Sequence, residues 1–401
     1  MLATMDDGAE RPAASTSVTG ASVPEPVGRP RQAGSRGPVL PDYEGACLSG
    51  VVPALLGRES AACPEWVPAA ARRAEQLVLL VLDGLGYAQM EERRALLPTI
   101  SSMEGGAITS VAPTTTATAL TSLATGLAPA DHGVVGYRVA TPGGVLNVLR
   151  WTTPTGDARS TLPPGIFQPN LPFLGRRCPV VSRAEFAGSG FTEAHLRGTR
   201  LVGWRLASSV AVDVASVLAE GEPFVYAYYD GVDKIAHETG LGVHYEAELR
   251  AADRLVSELL DVLPAGAALV VTADHGEVEV RDAPIVLTKE IAREVVGLSG
   301  EGRFRWLHVA PGASDRVSRR CAHAYGDVAW VRTREEIVSE GWLGPTPPSP
   351  EVEARLGDVA LVAREPVAFF DPADTGELRL VSRHGSLTAA EMYVPLVAAG
   401  R

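Results

Sequence analysis

The sequence predicts an α/β protein, a three-layer α/β/α sandwich with a mostly parallel central sheet. Two observations carry this. First, short, wholly apolar runs recur between turn residues: LVLLVL at 77–82, PFVYAYY at 223–229 and AALVVTA at 267–273. A strand covered by helices on both faces needs no polar alternation, so such runs fit buried parallel strands. Second, the last two runs flank HYEAELRAADRLVSELLDVL at 244–263. There Leu249, Ala252, Leu255, Val256, Leu259, Leu260 and Leu263 recur at helical spacing as one apolar stripe. Strand, helix and strand in that order make a βαβ unit.

Taken in chain order, residues 1–38 are rich in Ala, Gly, Ser, Pro and Arg and lack a hydrophobic period. They are expected to form a disordered tail, having too little apolar surface to offset the entropy of ordering. Residues 39–401 are expected to form a single domain. Within it, 137–200 is irregular and rich in Pro and Gly, and 281–325 carries many Gly and Arg. Both read as insertions over the sheet edge that shape access to a site. DVAWVR (327–332), DVALVA (358–363) and YVPLVAA (393–399) are further candidate strands.

The net charge of −12 disfavours nucleic acid and anionic membrane as partners, because like charges repel. It also repels a phosphorylated substrate at long range, so a cationic metal site would have to reverse the potential locally. The opening MLATMDDGAERPAASTS lacks the apolar core of a secretory signal, and no run approaches 18 apolar residues. The expected compartment is therefore the cytoplasm. Cys47, Cys63, Cys178 and Cys321 are scattered without a CxxC pair and do not read as a disulfide framework.

Polar residues gather where the strands end. Asp83 directly follows LVLLVL; Asp-Gly makes a turn, and a carboxylate there also stands where open α/β sheets bind ligands. Thr114, Thr115 and Thr116 enter the helix-forming ATALTSLATGL. A threonine at such an entry either caps the helix or offers its hydroxyl to an anion at the helix N-terminus. In DGVDKIAHETG, Asp233 and His237 share a helix face, as a surface pair does and as two ligands of one metal do. Asp230, one turn earlier, is a weaker candidate. Asp274 and His275 follow AALVVTA and converge only where the strand breaks, which Gly276 permits. His384 precedes Gly385 and an apolar strand, and a lone histidine is as readily structural as ligating. Together these supply three carboxylates, three histidines and a hydroxyl, the nitrogen and oxygen donors that suit zinc. Two ions roughly 3.5–4 Å apart would clamp the attacking and leaving oxygens of a displacement at phosphorus.

The succession LDGLG, PTTTATALTSLATGLAPADHG, DKIAH, TADHGE and HGSLTAAEMYVPL resembles the alkaline phosphatase superfamily over about residues 75–400. Within it the nucleotide pyrophosphatase/phosphodiesterase branch is the most similar. The resemblance implies an alkaline-phosphatase-like catalytic domain at 39–401 and hydrolysis of a small phosphorylated substrate. It implies two divalent metal ions, zinc by ligand chemistry. One would be held by Asp83, Thr116, Asp274 and His275, the other by Asp233, His237 and His384. Thr116, nine residues before Thr125 of the T-G-L element, is the implied nucleophile, with Thr115 the alternative register. Asp131 and His132 read as a structural loop. The branch carries an aromatic one residue after the nucleophile and an asparagine three residues after it. Here Ala117 and Ala119 stand there, so this segment supplies neither a stacking ring nor an amide donor. The alternatives are a phosphomonoesterase with the same site and a weakly active metal-binding scaffold protein.

Overall fold

A computed structural model describes residues 37–57 and 63–401. All but the last two residues of the expected tail at 1–38 lie outside the described residues. Among the described residues seven strands build the central sheet: β1 (Gln76–Leu82), β2 (Glu104–Thr109), β3 (Pro179–Arg183), β4 (Arg200–Trp204), β5 (Phe224–Tyr229), β6 (Ala267–Thr272) and β7 (Tyr393–Gly400). Their spatial order is β2-β7-β6-β1-β5-β3-β4. The five from β6 to β4 run parallel, and β7 and β2 complete one side antiparallel.

Every residue of β5 and β6 is buried, as is all of β1 after Gln76. Strands without alternation therefore lie covered on both faces, as their composition predicts. Three helices carry or flank the polar residues at the strand ends: α1 (Thr116–Thr125), α2 (Gly231–Thr239) and α3 (Val243–Val262). The apolar stripe of α3 is the buried one, with Leu249, Ala252, Leu255, Val256 and Leu259 facing the core. Each leucine so buried contributes about 1.5–3 kcal/mol relative to exposure.

Two expectations about organisation are corrected. The segment 137–200 is not wholly an insertion. Its first part forms a small antiparallel sheet (Arg138–Thr141, Gly144–Asn147, Thr152–Thr153, Gly156–Asp157), but β3 belongs to the central sheet. The apolar stretch of β3 is only Pro179–Val181, too short to stand out among Pro- and Gly-rich neighbours. The runs at 327–332 and 358–363 are strands, but not of the central sheet. Ala329–Thr333 and Val359–Ala363 pair with Val295–Glu301 and Phe304–Val309 in a separate four-stranded antiparallel sheet. An apolar run reports burial; it does not name the partner strand. Among the described residues no helix is long and apolar enough to cross a membrane. Cys47, Cys178 and Cys321 are free thiols.

Candidate metal centre

The site lies at the carboxyl ends of β6, β1 and β5, three neighbours at the middle of the sheet. Asp83 follows β1 directly, Ala273 alone separates β6 from Asp274 and His275, and Asp230 alone separates β5 from α2, which carries Asp233 and His237. Thr116 is the first residue of α1, and His384 follows the short strand Ser382–Arg383. Backbone contacts lace these loops together. The Asp233 N–H donates to the Asp83 carbonyl at 3.0 Å, and the Gly84 N–H donates to Asp274 Oδ1 at 3.1 Å. Gly84 has φ +75°, and a Cβ there would lie 2.9 Å from the Asp233 Cα. Only glycine tolerates that turn and that approach.

All seven residues singled out from the sequence come together. His275 Nε2 lies 3.4 Å from Asp83 Oδ1, 3.3 Å from Asp274 Oδ2 and 3.1 Å from Thr116 Oγ1. Beside this group, Asp233 Oδ1 lies 3.2 Å from His237 Nε2 and 3.8 Å from His384 Nε2. The rings of His275 and His384 stack face to face, centroids 3.5 Å apart, so the two groups are contiguous. His237 Nδ1 faces the Ser382 carbonyl and His384 Nδ1 faces the Thr114 carbonyl, each at 2.8 Å. A carbonyl only accepts, so both Nδ1 atoms carry the proton and both Nε2 lone pairs face the site.

The donor set fits cations. Asp83 Oδ1, Asp233 Oδ1 and Asp274 Oδ2 are buried without a hydrogen-bond partner among the described residues. An unpaired buried carboxylate oxygen is costly, and a bound cation removes that cost. The other oxygens of Asp83 and Asp274 are satisfied: the Tyr228 hydroxyl donates to Asp83 Oδ2, and the Gly84 and His275 N–H groups donate to Asp274 Oδ1. Burial, then the neighbouring Asp274 and Asp233, push the Asp83 carboxyl well above its ordinary range. Burial, then the imidazoles of His275 and His237, hold His384 well below the ordinary histidine value, hence neutral and able to ligate.

Sequence reasoning missed Glu277. It is fully buried, its Oε1 lies 4.0 Å from His275 Nδ1, and Ser382 Oγ donates to its Oε2 at 2.5 Å. Burial and then Asp233 push its carboxyl well up. Because the Ser382 carbonyl also accepts from His237 Nδ1, Glu277 braces His237 through Ser382. The signal was present in TADHGE, an acid two residues past the histidine. Asp230 is excluded from the cluster: Arg183 Nε holds both its oxygens at 2.6 and 2.7 Å. His132 is buried, accepts the Val134 N–H at Nδ1 and pairs with the Ser122 hydroxyl, which fits the structural reading. The capping role open to Thr115 is not realised, since its side chain makes no cap hydrogen bond.

With Thr116, Asp233, His237 and His384, the residues Thr115, Tyr137, Leu149, Arg150, Glu301 and Arg383 line the cleft over the site. Ala119 does not; it is fully buried in the core. The departure at that position therefore concerns helix packing rather than the cleft. Ala119→Asn is expected to lower stability by about 1–3 kcal/mol through overpacking, with no gain in turnover, as thermal melting and rate assays would register.

At the carboxyl ends of a mostly parallel α/β sheet stand buried carboxylates, histidines and a helix-entry threonine, and the family match below assigns this arrangement to a phosphoester hydrolase of the alkaline phosphatase superfamily. The chain belongs to the type I phosphodiesterase / nucleotide pyrophosphatase family, whose profile matches residues 77–200 and 198–387. Among solved structures, murine ectonucleotide pyrophosphatase / phosphodiesterase 5, an inactive form in complex with AMP, superposes with a TM-score of 0.61 at 16% identity. That match covers 81% of this chain and 88% of the other. Phosphonoacetate hydrolase from Sinorhizobium meliloti, in complex with phosphonoformate, gives 0.56 at 19% identity over 81% and 90%. These two likenesses concern the fold. No curated protein is significantly similar in sequence.

Proposed function

We propose that this protein hydrolyses phosphoesters of the phosphodiester or pyrophosphate type, with Thr116 as nucleophile beside two zinc ions. The observation that carries the reading is the set of three buried carboxylate oxygens without hydrogen-bond partners among the described residues, gathered with three histidine nitrogens, one of them 3.1 Å from the Thr116 hydroxyl. Asp83, Thr116, Asp274 and His275 would hold one cation, and Asp233, His237 and His384 the other. The murine relative supports the role of Thr116, since its inactive form replaces a threonine by alanine. The ligands named for the two neighbours, AMP and phosphonoformate, support a small phosphorylated substrate.

Two such cations would supply the positive charge that the attacking and leaving oxygens need and would lower the hydroxyl pKa. The rest falls to the chain. Thr116 Oγ1, 3.1 Å from His275 Nε2, attacks phosphorus in line. The Oγ1–P bond forms as the bond to the leaving oxygen breaks, giving a phosphothreonine. The N-terminal turn of α1 faces the developing negative charge with its backbone N–H groups. Water then attacks phosphorus from the vacated side; the Oγ1–P bond breaks, a water proton passes to Oγ1, and the phosphoryl group leaves bonded to the water oxygen, restoring Thr116.

The test is turnover of bis-p-nitrophenyl phosphate against p-nitrophenyl phosphate by zinc-loaded protein, with metal content measured on the same sample. Faster diester turnover is the expected result. Preference for the monoester would reassign the site to a phosphomonoesterase. Two bound zinc ions with turnover of neither ester would leave a metal-binding scaffold and end the proposal.

Zinc affinity is expected to rise with pH. Asp83 and Glu277, pushed up by burial and neighbouring carboxylates, keep protons above the ordinary carboxylate range in the metal-free protein. A cation must displace those protons, so affinity falls as pH falls through the raised pKa values. His384, pushed down from 6.5, adds no competing proton until well below that pH. Calorimetry in buffers of different ionisation enthalpy should register proton release on zinc binding; binding without release contradicts the ligand set.

A further inference from the structure

We propose that Arg150 is a specificity-determining residue that gives the cleft a second anion subsite. It would select phosphoesters whose non-transferred portion carries a negative group of its own. This rests on the phosphoester reading and goes further by naming the substrate class.

The cleft encloses about 280 Å³, with Thr116, Asp233, His237 and His384 among its walls. That is at the small end for ligand pockets, enough for a phosphoryl group and a short substituent. Imidazoles aside, Tyr137 is the only aromatic side chain among the described lining residues, so there is no pair of rings to sandwich a nucleobase. Arg150 is exposed whereas Thr116 is buried, which puts Arg150 at the mouth and the nucleophile at the floor. Its guanidinium has no hydrogen bond or ion pair among the described residues, unlike the committed Arg183 and Arg303.

The turn that presents Arg150 is built, not slack. Trp151, the next residue, has φ 54°, an unfavourable backbone for a bulky side chain. It is held there by complete burial, by its indole N–H donating to the Leu162 carbonyl at 2.8 Å, and by edge-to-face contact with Phe167. Gly190 makes room, since a Cβ there would lie 2.3 Å from the Trp151 Cβ. On the other side, Asn147 Oδ1 accepts the Arg150 N–H at 3.0 Å while its Nδ2 donates to Tyr137 Oη at 2.7 Å. A backbone conformation that persists only because its surroundings fix it points to a role for what the turn displays. What it displays into the cleft is Leu149 and Arg150.

Neither acid on the same walls is paired with Arg150 among the described residues. Glu301 accepts the Tyr137 N–H at 3.1 Å, and Asp233 faces the histidines. A guanidinium at the mouth therefore meets the substituent of a bound ester, and its planar fork suits a carboxylate or a second phosphate.

The test compares two ligands of the zinc-loaded protein by calorimetry: propylphosphonate, and 3-phosphonopropionate, in which a carboxylate replaces the terminal methyl. Wild type is expected to bind the carboxylated ligand roughly fivefold more tightly, the scale of an exposed charge pair. Arg150→Gln should bring the two within about twofold of each other, and Arg150→Lys should retain part of the preference. No preference in wild type, or a preference that survives in Arg150→Gln protein of unchanged melting temperature, overturns the subsite alone. Failure of both phosphonates to bind overturns the phosphoester reading and the subsite with it.

Discussion

Thr116→Ala protein is expected to bind as much zinc as wild type and to hydrolyse phosphoesters at least about a thousandfold more slowly. The substitution removes one oxygen and one methyl from the first residue of α1. The remaining donors, Asp83, Asp274 and His275, keep their positions because other elements hold them: β1, β6 and the Gly84 and Tyr228 hydrogen bonds. Helix α1 loses no cap, since none is made by side chains at its start. Stability should therefore be nearly unchanged, and the loss should fall on kcat. The neighbouring hydroxyl provides the control. Thr115 also lines the cleft, yet Thr116 is the one within 3.1 Å of His275 Nε2. Thr115→Ala should retain most activity. Wild-type rates in Thr116→Ala, with collapse in Thr115→Ala, would move the nucleophile by one residue; wild-type rates in both would remove it from this helix.

Asp233→Ala and His237→Ala are expected to reduce zinc from two ions per chain to about one and to lower turnover by a similar three orders of magnitude or more. Both side chains project from one face of α2 and converge with His384, so either loss leaves two donors where the group has three. Elemental analysis of the purified variants measures the stoichiometry, and an unchanged ratio would sink this ligand set. A second signature separates a ligand from a structural residue. Asp233 helps to push the carboxyls of Asp83 and Glu277 up, so in metal-free protein it is a repulsive neighbour. The metal-free Asp233→Ala variant should then melt no lower than metal-free wild type, whereas with excess zinc it should melt lower. A residue that merely held the fold would lower both.

Much of the site was legible because most of its members abut an element with a visible pattern. Asp83, Asp274 and His275 stand just past apolar runs, and Asp233 and His237 keep helical spacing. His384 had no such neighbour, and its assignment rested on the order of motifs. What stayed hidden did so for physical reasons. Glu277 stands two residues past His275, but its burial and its contact with Ser382, far along the chain, leave no local pattern. Strand β3 was masked by its three-residue apolar stretch. Val359–Ala363 reads like a central strand although it belongs to the smaller sheet, because full burial looks alike beneath helices and between sheets. Tyr137 and Arg150 lie in a segment that composition reads as irregular, yet Asn147, Trp151 and Phe167 fix it by contacts no local pattern reveals.

The strand order β2-β7-β6 has a consequence for biosynthesis. Strand β7 joins β2, made early, to β6, made much later, and His384 lies just ahead of it in the chain. In chain order Asp83, Asp233 and Asp274 all precede His384, the last of the proposed ligands. The proposed two-cation centre would therefore be complete only once His384 is in place and β7 has joined β2 to β6, which would make metal loading a late step in folding.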